Sequence, residues 1–195
     1  MEKITNRYDI IEFLIRRRGY WKYLEIGTQS GDNFNNVPLK YKIGVDPDSK
    51  ARATLKMTSD DFFSLSEDKF DIIFIDGLHH ANQFYNDISN ALHALATGGT
   101  IVCHDVNPAS EEMQRVPRTQ KEWTGDVWKS WVYLRSFDSD LHMYVVDIDY
   151  GCGIIRRGKQ ELISIPARLT YKKLKDQRVK LLNLKSIAEF KNIES

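Results

Sequence analysis

The sequence predicts a single α/β domain built on a mostly parallel sheet, and three observations carry that prediction. Short apolar runs ending at Gly or Asp alternate with amphipathic stretches of helical period through the first hundred residues. The run Ile72-Ile73-Phe74-Ile75 is apolar without a break, as suits a central parallel strand covered on both faces. The first such run ends at Gly27, with Gly31 close behind, a sharp turn at the carboxyl end of a strand, where open α/β sheets take their ligands.

The elements follow in order. Ile4, Tyr8, Ile11 and Ile15 fall at helical spacing, and Gly19 after the basic run Arg16 to Arg18 marks the stop, so a first helix of about four turns is expected. Four apolar runs then read as strands: 23–27, 41–46, 53–57 and 70–76. Phe84, Ile88, Ala91, Leu92 and Leu95 form the apolar stripe of a helix that Gly98-Gly99 should close, and 100–105 is a fifth strand. Residues 107–125 hold two prolines and no clear period, and are expected to form a long connection of the kind that usually serves function. Asp126 is placed to cap a helix carrying Val127, Trp128, Trp131 and Leu134, and 143–149 and 152–157 read as two strands around Tyr150-Gly151. From about 160 to 195 the chain becomes basic and amphipathic, a C-terminal extension of one or two helices laid on the single domain 1–195.

Length and charge exclude several classes. The 195 residues suffice for one core and are short for two. Lys+Arg 28 against Asp+Glu 27 leaves no global field to argue for nucleic acid or an acidic membrane. No apolar stretch approaches the roughly 20 residues of a membrane span, and the charged, periodic start is unlike a signal peptide. Cys103 and Cys152 lie in apolar runs, as buried thiols of a reducing compartment would; the expectation is a cytoplasmic protein.

Two groups of residues promise chemistry. Glu25, just before Gly27, would repel a pyrophosphate but accept hydrogen bonds from a cationic or hydroxylated ligand. Asp46, about twenty residues on at the next strand end, can take both hydroxyls of a ribose, so a nucleoside without phosphates is the expected ligand. The other group is Asp76-Gly77-Leu78-His79-His80 and His104-Asp105, at the ends of strands expected to be neighbours about 4.8 Å apart. Two carboxylates with imidazole can hold a divalent cation, which orients and acidifies an acceptor hydroxyl while a nearby imidazole takes its proton. Against this, Asp60 could simply cap a helix beginning at Asp61 or Phe62, Trp131 is expected to pack, and Trp123 is left as a contact for the acceptor.

The pattern Glu25-x-Gly27-x-x-x-Gly31 followed by Asp46 resembles the class I S-adenosylmethionine-dependent methyltransferases over about residues 20 to 157. The resemblance implies a Rossmann-like three-layer sandwich with a seven-stranded, mostly parallel sheet whose last strand is antiparallel. It implies S-adenosylmethionine as cofactor, with Glu25, Gly27, Thr28 and Gly31 on the methionine side, Asp46 at the ribose, Ser59 and Asp60 facing the adenine, and Asp76 also among the cofactor-binding residues. The Asp76-Gly77-Leu78-His79 segment is similar to that of the metal-dependent sugar and macrolide O-methyltransferases, type 24 among them. That similarity implies His79 as general base, Asp76 and Asp105 as ligands of Mg²⁺ or another divalent metal, and His104 as a third ligand or as a sign that the metal has been lost, since those enzymes have an acidic residue there. The expected function is O-methylation of a small sugar-like or polyhydroxylated acceptor, a glycan or secondary-metabolite precursor, by a chain that can also self-associate. A metal-dependent hydrolase or hydroxylase-like enzyme and a non-catalytic binding module are the alternatives.

Overall fold

The computed structural model describes residues 3–195. Seven strands form one sheet in the order β2-β1-β3-β4-β6-β5-β7, where β1 is Lys22–Ile26, β2 Tyr41–Val45, β3 Phe70–Ile75, β4 Leu95–Cys103, β5 Leu141–Val146, β6 Cys152–Arg157 and β7 Leu184–Lys185. Strands β1 to β4 pair in parallel, and β6 runs antiparallel to both of its neighbours, β4 and β5. The reversed strand is therefore the sixth, with the two-residue β7 added in parallel beyond β5.

Among the described residues, seven helices cover the sheet. They are α1 (Arg7–Arg18), α2 (Asp32–Asn36), α3 (Ser59–Leu65), α4 (Ala81–Ala94), α5 (Val127–Phe137), α6 (Tyr171–Leu182) and α7 (Ile187–Ile193). Alternation along the strands divides the core in two. Leu24, Ile73, Ile75 and Ile101 face Phe84, Ile88, Trp128, Trp131 and Leu181, whereas Tyr23, Phe74, Val102 and Tyr144 face Ile10, Ile11, Leu14 and Phe190. Both faces of β3 are buried, which is why its sequence shows no alternation. Trp131 packs in the core as expected, and Cys103 and Cys152 are buried free thiols. No helix among the described residues is long and apolar enough to cross a membrane.

Four local expectations are corrected. The run 53–57 is not a strand: Leu55 alone bridges Val45, bonded through its N–H and carbonyl to Gly44 and Asp46, while Thr54 takes the Gly44 N–H on its side chain at 3.1 Å and so carries no ladder onward, and a cavity of about 480 Å³ lined by Ile43, Leu55, Met57 and Phe62 lies at that edge. Gly98-Gly99 do not close α4, which ends at Ala94; they sit within β4 where its register against β3 slips, Phe70 pairing with Leu95 and Ile72 with Thr100. The cap of α3 is Thr58, whose hydroxyl accepts from Asp61 N, so Asp60 lies inside the first turn and caps nothing. Asp126 precedes α5 without capping it; its Oδ1 accepts instead from Ala81 N at 2.8 Å, at the start of α4.

Candidate active site

The carboxyl ends of β1, β2, β3 and β4 line up at one end of the sheet. Gly27, at the end of β1, has φ 86°, and a Cβ there would collide with the Asp76 carbonyl. The glycine thus serves first to bring the β1 turn against the β3 end, so the approach it permits is of backbone to backbone rather than directly to a ligand. Beyond it, Gly31 leads into α2, and Thr28 is buried with its Oγ1 unpartnered. Glu25 is also buried; its Oε2 accepts from Asn33 Nδ2 at 2.7 Å and from the Tyr23 hydroxyl. Burial pushes the Glu25 carboxyl up to about 7, against the lowering effect of those two hydrogen bonds. Asp46 accepts backbone N–H groups from Gln29 and Asp48, both at 2.9 Å, one on each oxygen. Ser59 and Asp60 lie on α3, where the Ser59 hydroxyl donates to Asp87 at 2.6 Å and Asp60 accepts from Gln83 at 3.3 Å.

Asp76, His79, His104 and Asp105 come together. His79 Nε2 lies 3.2 Å from Asp76 Oδ1 and its Nδ1 3.2 Å from Asp105 Oδ2; His104 Nδ1 lies 3.3 Å from an oxygen of each carboxylate. Asp105 reaches the centre from a left-handed backbone, φ 62°, a conformation uncommon outside glycine that is retained where the surroundings enforce it. Asp76 is held well below the usual carboxylate range: burial alone would raise it, and the charge and hydrogen bonds of His104 and His79 overcome that. Both imidazoles are pushed the other way, burial lowering them and the carboxylates raising them further.

A second layer of this centre comes from distant parts of the chain. Arg7, the first residue of α1, places Nη1 3.0 Å from Asp149 Oδ2 and 3.2 Å from His104 Nε2, with Nε 3.9 Å from Asp76. A neutral His104 accepts from Arg7 at Nε2; a charged one turns Nε2–H toward Asp149 Oδ2, 3.5 Å away, and the surrounding Asp76, Asp105 and Asp149 favour the charged form. Neither Arg7 nor Asp149 is assigned to this centre by the sequence: Asp149 stands out only as the first residue of the Asp149-Tyr-Gly-Cys-Gly run, Arg7 only as part of the first helical stretch, and the two lie 142 residues apart. Tyr23 and Asn33, the partners of Glu25, were also missed; only the alternation of β1 puts Tyr23 beside Glu25 on one face.

The donor set suits a divalent cation. Asp76, His79 and Asp105 each offer a ligand atom within 4.8 Å of the others, and the buried His104 Nδ1 lies 3.3 Å from an oxygen of each of the same two carboxylates. The β1 turn carries buried polar atoms too, Thr28 Oγ1 and Asn33 Oδ1, both unpartnered there.

Comparison with known proteins agrees with this architecture. Residues 28–106 match the family described as a methyltransferase domain. No curated protein sequence matches the chain. Similar solved structures include an S-adenosylhomocysteine-bound methyltransferase of Podospora anserina, 16% identical over 78% of each chain with a TM-score of 0.57. Another is the O-methyltransferase TomG of Streptomyces achromogenes, solved with S-adenosylmethionine, 14% identical over 78% of this chain and 79% of that one, TM-score 0.58. A third is an O-methyltransferase of Bacillus cereus in complex with S-adenosylhomocysteine, 14% identical over 79% and 81%, TM-score 0.54. The matched segment runs from the β1 turn through His104-Asp105 at the end of β4 and is a methyltransferase domain by that match, and the sheet that carries it has the fold of these methyltransferase structures.

Proposed function

We propose that the chain transfers the methyl group of S-adenosylmethionine to a hydroxyl oxygen of a small, sugar-like or polyhydroxylated acceptor. The observation that carries the reading is the convergence of Asp76, His79 and Asp105 beside the turn at Gly27, whose backbone touches that of Asp76. Structural relatives solved with S-adenosylmethionine or its demethylated product support the donor. Asp46 would hold the ribose, Thr28 and Gly31 the turn around the methionine part, and Glu25 its cationic end; Ser59 and Asp60 are the candidates nearest the adenine.

S-adenosylmethionine supplies an electrophilic methyl on a sulfonium, and a divalent cation such as Mg²⁺ would supply acidification of the acceptor oxygen. Asp76, Asp105 and His104 Nδ1 are the residues to hold that cation, which leaves His79 for proton transfer. His79 Nε2 takes the hydroxyl proton, and Asp105 Oδ2 beside Nδ1 steadies the imidazolium that results.

A thermal-shift titration tests the reading. S-adenosylmethionine and S-adenosylhomocysteine should each raise the melting temperature, by about 2.7 kcal/mol of stabilisation at a hundred times Kd, and Mg²⁺ should add to it in the native chain but not in Asp105→Asn. Stabilisation by NAD⁺ alone would end the methyltransferase assignment. With a panel of sugars and polyols as acceptors, His79→Ala should bind S-adenosylmethionine normally yet turn over on the order of a hundredfold more slowly.

A further inference from the structure

Helix α6 lies well beyond the matched segment 28–106, yet it grips the chain just after His104-Asp105 at three successive residues. Arg178 Nη1 donates to Asn107 Oδ1 and, at 2.9 Å, to the Pro108 carbonyl, while the Tyr171 hydroxyl donates to the Ala109 carbonyl at 2.6 Å. Arg178 Nη2 lies 3.4 Å from that hydroxyl and the guanidinium stands 6.0 Å from the centre of the Tyr171 ring, so the two side chains form one clamp. The helix gives up regular geometry at Gln177, φ −129° and ψ 21°, immediately before Arg178. Asn107 is buried and held from the other side as well. Its N–H donates to the Tyr150 carbonyl at 2.7 Å and its Nδ2 to Asp147 Oδ1 at 2.9 Å, and Val106 N donates to the Gly151 carbonyl at 3.2 Å. A Cβ at Gly151, whose φ is 93°, would collide with Asn107, so a glycine is what lets the turn between β5 and β6 come this close.

These contacts bear on Asp105, whose left-handed backbone persists only where the chain on both sides enforces it. On one side the sheet does so: Cys103 is paired with Ile75 and Gly153, and His104 N donates to the Ile75 carbonyl at 3.0 Å. On the other side the chain enters the long connection, and Asn107 is the anchor. We infer that Arg178 is a positioning residue for Asp105: by fixing Asn107 it holds the backbone turn that sets the Asp105 carboxylate beside His79 and His104. This rests on the reading of Asp105 as a member of the catalytic centre. A guanidinium suits the task, because its charge is permanent and one nitrogen of its rigid fork donates to two acceptors at once. Pinning α6 to the domain does not require Arg178. Leu174, Leu181 and Leu182 are buried in the core, and the carbonyls of Leu181 and Leu182 accept from Arg135 Nη1 at 2.9 Å and Trp131 Nε1 at 3.3 Å.

Amide hydrogen exchange of the full-length chain reads the clamp without cofactor or acceptor. In Arg178→Ala the Val106 and Asn107 amides should exchange on the order of tenfold faster than in the native chain, while Leu181 and Leu182 keep their protection. Asn107→Ala should reproduce the effect at Val106, and combining the two substitutions should add little, because they act in series. Arg178→Lys keeps a donor near the same oxygens and should fall between native and Arg178→Ala. Titration with Mn²⁺, followed by the electron paramagnetic resonance of the free ion, should show an affinity lower by on the order of tenfold in Arg178→Ala at unchanged affinity for S-adenosylmethionine. Native exchange rates at Val106 and Asn107, acceleration confined to α6, or a native Mn²⁺ affinity in Arg178→Ala overturns the inference. Should Arg178→Ala fail to fold, Arg178→Lys and Asn107→Ala still decide it. A native chain that takes up neither Mn²⁺ nor S-adenosylmethionine removes the proposed reaction, and the exchange rates then decide the clamp by themselves.

Discussion

Glu25 shows how far one residue's environment can depart from its sequence context. The acid before a glycine turn is expected to wait for a ligand, yet here it is buried against Tyr23 and Asn33 and its carboxyl is pushed up to about 7. Because the folded-state value lies above the unfolded one, the protonated form stabilises the fold fully below the unfolded value, and that contribution is lost as pH rises from about 4.5 to about 7. Glu25→Gln should therefore flatten the pH dependence of stability across that interval and be more stable than the native chain at pH 8 by about 3 kcal/mol or less, measured by urea unfolding at several pH values. Gly27 makes a complementary point. Its replacement by Ala sets a methyl against the Asp76 carbonyl at a positive φ, so a loss of at least 1–3 kcal/mol is expected, together with weaker S-adenosylmethionine binding because the two loops separate.

Among the helices, the start of α4 matters most for the chemistry, since it follows His79 and His80 directly. Its N-cap residue, His80, makes no side-chain cap, and the missing acceptor arrives from Asp126, 45 residues away. Asp126→Ala should cost about 1 kcal/mol, and hydrogen exchange should show faster opening of the Ala81 amide and its neighbours at the start of α4 while α5 keeps its protection. Faster exchange confined to α5 would return Asp126 to the local role that its position suggests. The same reasoning explains the glycine pair at 98–99: two glycines after an apolar helical stripe read as a stop signal, but the sheet uses them to absorb a change of register between β3 and β4.

Across the fold, a buried polar network holds the last helix to the sheet face opposite α4. The Glu194 side chain is fully buried and accepts from Arg156 Nη1 at 2.7 Å, Arg18 Nη2 at 2.8 Å and the Tyr144 hydroxyl at 2.5 Å. Removing one partner from such a group leaves buried charge uncompensated, so Glu194→Ala should destabilise by about 3–5 kcal/mol, seen as a lower urea midpoint. It should leave the S-adenosylmethionine increment in melting temperature unchanged, because the network lies away from the ligand end of the sheet.

The succession of strands and helices, the two-faced burial of β3 and the residue types at the strand ends were all readable along the chain, because each depends on local periodicity or on the one step from a strand to its following turn. On that basis Asp76, His79, His104 and Asp105 could be named together before any coordinates, and the sheet does bring them within contact of one another. What lay outside such reading was every partnership between distant segments: Arg7 with Asp149, Asp126 with α4, Trp123 with His79, and the failure of 53–57 to join the sheet. These depend on which loops the packed core carries to the same end of the sheet, and on how closely a single glycine lets them approach, neither of which leaves a period or a motif in the order of residues.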